Sequence, residues 1–285
     1  MTGNVIFSVS TQMEMEGRQL KALKPDKNGW FKGIPLAVVG THSRNNVYYE
    51  KESVLNCLTD MSQRFALNIQ TGDMEGEWGH PWLDPTMPKI AMLERLMRIE
   101  RKNVSHRISR VYGKNGDDGL IIVYGDVKPF GPMGQYLKEE FEDPTMDAAF
   151  SLRSACVKYG QDGGIIKKKM LSLVTFDAVD GPGYLKASKR WVDASIGNEG
   201  LSTQLSASLE GYDKEIEVTQ KDVKEAQEHL LAAGVESCVV TSQRVLDAFC
   251  CDKVIIKDRV IGKLGKGNFT DGNKPVSVFD LCFNS

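Results

Sequence analysis

Apolar residues in this chain gather in short runs closed by glycine or by polar turns, and the runs set out a mixed order of strands and helices. GIPLAVVGTHS is a continuous apolar run ended by Gly40 and a polar turn, the pattern of a buried strand. In EKESVLNCLTDMSQRF, Val54, Leu55, Leu58 and Met61 share one helical face, which predicts an amphipathic helix. ALNIQ reads as a short strand after it. Thr86 stands as an N-cap, with Pro88 in the first turn of a helix carrying Ile90, Leu93, Leu96 and Met97.

The centre of the chain is β-rich. HRISRVY and GLIIVYGDV flank GKNGDD, whose Asn115-Gly116 pair signals a hairpin. KPFGPMG is a loop and QYLKEEFE a short helix. AAFSLRSACVKY and IIKKKMLSLVTFDAV, joined by GQDGG, predict a second hairpin. Strands of this kind with helices between them make an α+β layout. From about Val192 to Val218 the chain turns polar and loses periodicity, which predicts a linker or mobile segment. TQKDVKEAQEHLLAAG is then a helix capped by Thr219 and Asp222 and stopped at Gly234. The expected organisation is a core over residues 1–195, a linker over 196–218 and a small α/β appendage over 219–285, in which SCVVT, QRVLDAFC, KVIIKDRVIGKL and VSVFDLCF are the ordered runs.

Composition narrows the function by exclusion. Thirty-six basic against 38 acidic residues, with a pI near 6.1, leave no electrostatic footprint for a nucleic acid or an acidic membrane. The six cysteines have no CxxC spacing and the four histidines are scattered, so no zinc site is expected and the thiols suit a reducing compartment. The N-terminus lacks a secretion signal and no long apolar run occurs, as in a cytoplasmic soluble protein.

Candidate chemistry lies in three places. His80, between Gly79 and Pro81 in EWGHPW, belongs to a shaped loop, as a ring packed on Trp78 or Trp82 or as a general base. In DAAFSLRSACV, strand alternation puts Ser151, Arg153, Ala155 and Val157 on one face and Phe150, Leu152, Ser154 and Cys156 on the other. Ser151 is then an inert strand serine or a nucleophile beside an arginine. Asp177 interrupts the apolar run LSLVTFDAV, and a carboxylate buried there needs a partner: Arg110, Arg153 or Arg190 in a structural pair, or a catalytic imidazole. His106, in NVSHRIS, is a core or strand-end histidine by default and the rival to Asp177 as a third catalytic member.

In chain order, SRNNVYYEKESVLNCL, EWGHP, NVSHRISRVYGKNGDDGLIIVYGDV, FSLRSA and FDAVDGPGYLKAS resemble the successive motifs of the prohead core proteases of large tailed bacteriophages, over roughly residues 34 to 190. The resemblance implies an antiparallel β-barrel of the herpesvirus maturation protease type wrapped by helices. It implies a serine endopeptidase that needs no cofactor, with Ser151 as nucleophile, His80 as base, Asp177 as orienting acid and Arg153 as oxyanion support. Phe150 and Ser154 replace glycines of the family pattern, which leaves the oxyanion geometry open. Implied partners are the scaffold, core and capsid proteins of a prohead inside the host cytoplasm, with a homo-oligomer by analogy. The resemblance further implies cleavage after small-x-Glu and self-processing. Glu199 and Glu210 end such triplets within the polar segment, where a cut would release the C-terminal appendage. The competing reading is a catalytically inactive core or tube protein on the same fold. With a regular GQDGG hairpin, Ser151 pairs near Leu173, and Asp177 falls roughly 13 Å farther along its strand, at about 3.3 Å per residue.

Overall fold

Two long hairpins rich in β-branched and aromatic residues dominate the fold, because alternating side chains of both meet in one hydrophobic layer between them. The computed structural model describes residues 5–9, 20–42, 46–62, 64–115, 120–180, 187–192 and 214–255. The elements run β1 (Val5–Val9), β2 (Phe31–Val39), β3 (Val47–Tyr49), α1 (Lys51–Thr59), α2 (Arg64–Thr71), β4 (Met74–Glu77) and α3 (Lys89–Met97). They continue with β5 (Val104–Asn115), β6 (Ile121–Pro129), α4 (Gly134–Glu142), β7 (Ala149–Asp162), β8 (Ile165–Val179), β9 (Lys214–Val218), α5 (Gln220–Ala232) and α6 (Val239–Ile255). No described helix is long and apolar enough to cross a membrane.

Among the described residues the strands form a five-stranded sheet, β3-β8-β7-β1-β9, and a four-stranded sheet, β2-β6-β5-β4. Every pairing is antiparallel except β3 with β8. The mixed α+β class is as expected, but the closed barrel is not formed. On the side where β4 meets β8, the backbone pairing between the two sheets among the described residues is a single bridge, Trp78 to Ala178, one residue past the end of the four-residue β4.

Two cores result. One lies between the sheets and takes Phe150, Leu152 and Cys156 of β7 and Leu173, Phe176 and Ala178 of β8, with Val54 of α1 and Leu137 and Phe141 of α4. The other covers the outer face of the larger sheet, where Ala155, Ile216 and Val218 meet Leu93 and Leu96 of α3, Val223, Ala226 and Leu230 of α5, and Val245 of α6. The alternation expected for β7 is therefore observed, each parity facing its own core.

Several local expectations are corrected. ALNIQ lies inside α2, where buried Phe65 and partly buried Ile69, four residues apart, face the same core. Thr86 does not cap α3; it donates to Asp84 in a turn, and α3 starts after Pro88. Thr219 and Asp222 do form the capping box, and Gly234 ends the helical stretch with φ +74°. The C-terminal part is helical rather than α/β as far as residue 255, because SCVVT and QRVLDAFC run on through a short 3₁₀ turn into α6. The last two expected runs, KVIIKDRVIGKL in most of its length and VSVFDLCF, lie outside the described residues, as do residues 116–119 of the first hairpin turn. The end of the segment read as a linker is strand β9, paired with β1, while Glu199 and Glu210 lie outside the described residues.

Candidate active site

The site is built where the first residues of β7 run beside the last residues of β8. Ser151 stands directly opposite Asp177 in this ladder, so their side chains leave the sheet on the same face. The separation expected from a regular GQDGG hairpin is thus replaced by a cross-strand pair. The turn consists of Gly163 and Gly164, both with positive φ, and Asp162 already pairs with Ile165.

His80 reaches Asp177 because its loop is tied to β8. The Trp78 N–H donates to the Asn103 carbonyl, and the Gly79 N–H donates to the Ala178 carbonyl at 2.7 Å. Gly79 then turns the chain with φ +72°, a conformation that favours glycine. His80 Nδ1 comes to 3.0 Å from Asp177 Oδ2, and the ring is only 5% exposed. An ionised carboxylate can only accept, so Nδ1 carries a proton, and in the neutral ring Nε2 keeps the lone pair. Nε2 is buried and has no hydrogen-bond partner among the described residues. Of the two tryptophans, Trp78 packs on Tyr136 with ring centroids 5.8 Å apart, whereas Trp82 is 68% exposed.

Asp177 is fully buried and draws several donors. Arg153 Nε donates to Oδ2 at 3.0 Å and Nη2 to Oδ1 at 2.6 Å, while the Glu77 N–H donates to Oδ1 at 3.2 Å. Burial pushes its carboxyl upward, but the Arg153 guanidinium, and then the His80 imidazole, outweigh that and hold it well below the usual carboxylate range. Asp177 therefore stays ionised. The two alternatives for its partner are both realised, since it binds Arg153 and His80 together. Arg110 pairs with Asp126 instead, and Arg190 with Asp147.

The side chain of Arg153 turns to the acid. Its guanidinium is fully buried, grips Asp177, donates from Nη1 to the Arg98 carbonyl at 2.9 Å and lies 3.4 Å from Glu77. It steadies the acid and is not turned to the surface. His106 is not joined to the group by any hydrogen bond: its Nδ1 meets Ser105 Oγ at 2.8 Å and its Nε2 meets the Phe176 carbonyl at 3.1 Å. Burial holds its pKa down at about 4, so it sits neutral beneath β8, edge-on to Phe150.

Sequence reasoning assigned no role to Glu77, Arg95 or Glu100. Glu77 is buried, salt-bridged to Arg95, and accepts the Glu100 N–H at 2.7 Å. Glu77 had a signal in its own motif, two residues ahead of Gly79. Arg95 had none. It lies about 200° around the helix from Leu93, at about 100° per residue, where amphipathic spacing predicts solvent.

The chain is 25% identical over 232 residues to the capsid maturation protease of Pseudomonas phage phiKZ, covering 77% of this chain and 79% of the relative. A solved structure of the bacteriophage T4 capsid assembly protease aligns with a TM-score of 0.39 at 16% identity, covering 63% of this chain and 99% of that one. The model of the Peptidase S80 family matches residues 9–245, well over half of the sequence, and the chain belongs to that family of phage prohead proteases.

Proposed function

We propose that this protease is a serine endopeptidase that matures a phage prohead by cutting its scaffold, core and capsid proteins. The observation that carries the reading is the buried Asp177–His80 hydrogen bond with Ser151 opposite Asp177 on the neighbouring strand. Asp177, kept ionised by Arg153, holds the Nδ1–H tautomer and leaves the Nε2 lone pair free to accept a proton. In the reaction Ser151 Oγ turns to Nε2, gives up its proton and attacks the scissile carbonyl. Asp177 stabilises the imidazolium, the proton passes to the leaving amine, and water then releases the acyl-enzyme. The relation to the herpesvirus maturation protease is part of this proposal, the two sheets standing as an opened form of that barrel.

The substrate preference is cleavage after small-x-Glu, and the enzyme trims itself after Glu199 or Glu210. Because α5 and α6 share the outer core with α3, such a cut nicks the chain without freeing them. Denaturing gels should show two fragments that run together in gel filtration. An intact 31.6 kDa species with full activity would contradict self-processing. Ser151→Ala, co-expressed with scaffold substrate, should abolish cleavage and leave the fold unchanged; persistent cleavage sinks the serine mechanism. Labelling of Ser151 by a fluorophosphonate separates this reading from an inactive core protein on the same fold.

A further inference from the structure

We propose that Glu77, three residues ahead of His80, is a positioning residue of the catalytic centre: with Arg95 it braces and balances Arg153, so that Asp177 stays committed to the imidazole. This rests on the assignment of His80 and Asp177 as the catalytic pair. Glu77 is 0% exposed, so it meets no substrate. Its carboxylate gathers Arg95 Nη1 at 3.0 Å, the Glu100 N–H at 2.7 Å and Asn103 Nδ2 at 3.5 Å, and lies 3.4 Å from Arg153 Nη2. Its own N–H donates to Asp177 Oδ1.

One guanidinium is enough to pair a buried carboxylate, yet here two guanidinia and two carboxylates alternate: Asp177, Arg153, Glu77, Arg95. The four charges cancel, so the imidazolium formed in catalysis faces a centre of zero net charge. The same carboxylate also fastens the strap after α3, whose Arg98 carbonyl receives Arg153. The ionisable groups linked to His80 through this chain are Asp177 from β8, Arg153 from β7, Glu77 from β4, Arg95 from α3, and Arg98, Glu100 and Lys102 from the strap, with His106 of β5 on the Phe176 carbonyl next to Asp177.

Removing the Glu77 charge leaves Arg153 leaning on Asp177 alone and the centre one positive charge in excess. Removing the Arg95 charge does the opposite. The full chain carrying Ser151→Ala, with labelled histidine, lets the His80 ring be titrated by NMR without reference to activity; His229, paired with Glu94 on the surface, is the internal control. Glu77→Gln should lower the His80 midpoint by about one unit, a tenfold loss of proton affinity, and Arg95→Gln should raise it by a similar amount. The charge-neutral double variant should return to the parent. Unmoved midpoints in folded variants, or shifts of one sign in both, overturn the proposal. If Glu77→Gln does not fold, the opposite sign expected of Arg95→Gln carries the test alone. With Ser151 present, Glu77→Gln should lower kcat about tenfold per fluorophosphonate-labelled site with KM unchanged; a purely structural role would reduce the labelled fraction instead. Cleavage that does not depend on Ser151 would sink the serine mechanism but leave the histidine titration as it stands.

Discussion

Acidification should weaken the fold through His106. The neutral ring uses both nitrogens, Nε2–H donating to the Phe176 carbonyl and Nδ1 accepting from Ser105 Oγ, so a second ring proton would have to reverse the serine bond and place a charge in a fully buried site. Burial lowers its pKa to about 4, against the opposing pull of Asp177 and the Phe176 carbonyl. In the unfolded chain the value is about 6.5. Between those two values the unfolded chain binds a proton that the folded chain refuses. Stability from this source is therefore complete above about pH 6.5 and falls as the pH drops toward 4. The full difference, about 2.5 units at about 1.36 kcal/mol each, is on the order of 3 kcal/mol, of which about 2 kcal/mol is lost between pH 7 and pH 5. Urea unfolding of the Ser151→Ala chain, alone and with His106→Gln, at both pH values isolates the effect. The glutamine donates to the same carbonyl but does not titrate. The parent's advantage over the variant should shrink by about 2 kcal/mol on going to pH 5. An advantage of equal size at both pH values would refute the reasoning.

Asp177→Asn should cost about 10³–10⁴-fold in kcat by releasing the wrong histidine tautomer, and about 3–5 kcal/mol in stability by leaving buried Arg153 short of a counter-charge; kinetics with active-site labelling and urea unfolding measure the two separately. Gly76→Ala places a Cβ 2.2 Å from the Phe176 carbonyl oxygen and 2.3 Å from His106 Nε2, so it must part that hydrogen bond. A loss of about 2–4 kcal/mol is expected, and a urea midpoint equal to the parent's would contradict the packing described. Lys189 Nζ donates to the carbonyls of Glu140, Asp143 and Met146 at the end of α4, and Lys189→Met should cost about 2–4 kcal/mol. The same segment pairs with β7 beside Ser151, through Phe150 N–H to the Ala187 carbonyl, so activity should fall along with the denaturation midpoint.

Much of the fold was legible because it depends on periodicity. Period two along FSLRSACV separates the Ser151 and Arg153 face from the Phe150 and Leu152 face, and each face found its own core. The helix of Val54 and that of Leu93 and Leu96 followed from helical spacing in the same way. What failed was short or long-range. ALNIQ is too brief for its period to decide between strand and helix, and tertiary burial of Phe65 decided it. Closure of a barrel depends on pairing between β4 and β8, which are far apart in sequence and meet in one bridge. The partners of Asp177 were named correctly as classes, an arginine and an imidazole, because burial of a charge demands them. That Glu77 and Arg95 stand behind them depends on which side of α3 faces the loop, and no local pattern carries that.

The hairpin register shows most directly how a small irregularity makes the site. Carried back from the Asp162–Ile165 pair without interruption, the β7–β8 ladder would set Ser151 opposite Phe176, and Asp177 would point into the core between the sheets on the face away from Ser151. The register instead shifts between Lys158 and Gly160, between Ala155 and Cys156 and between Arg153 and Ser154, with a net displacement of one residue. That one residue exchanges the faces, bringing Asp177 to the side of Ser151 and Arg153 and sending Phe176 inward. A bulge is therefore as much a part of this site as any titrating group. Strand alternation predicts which residues of one strand lie together, but the pairing of nucleophile and acid across two strands is set by irregularities that alternation cannot carry.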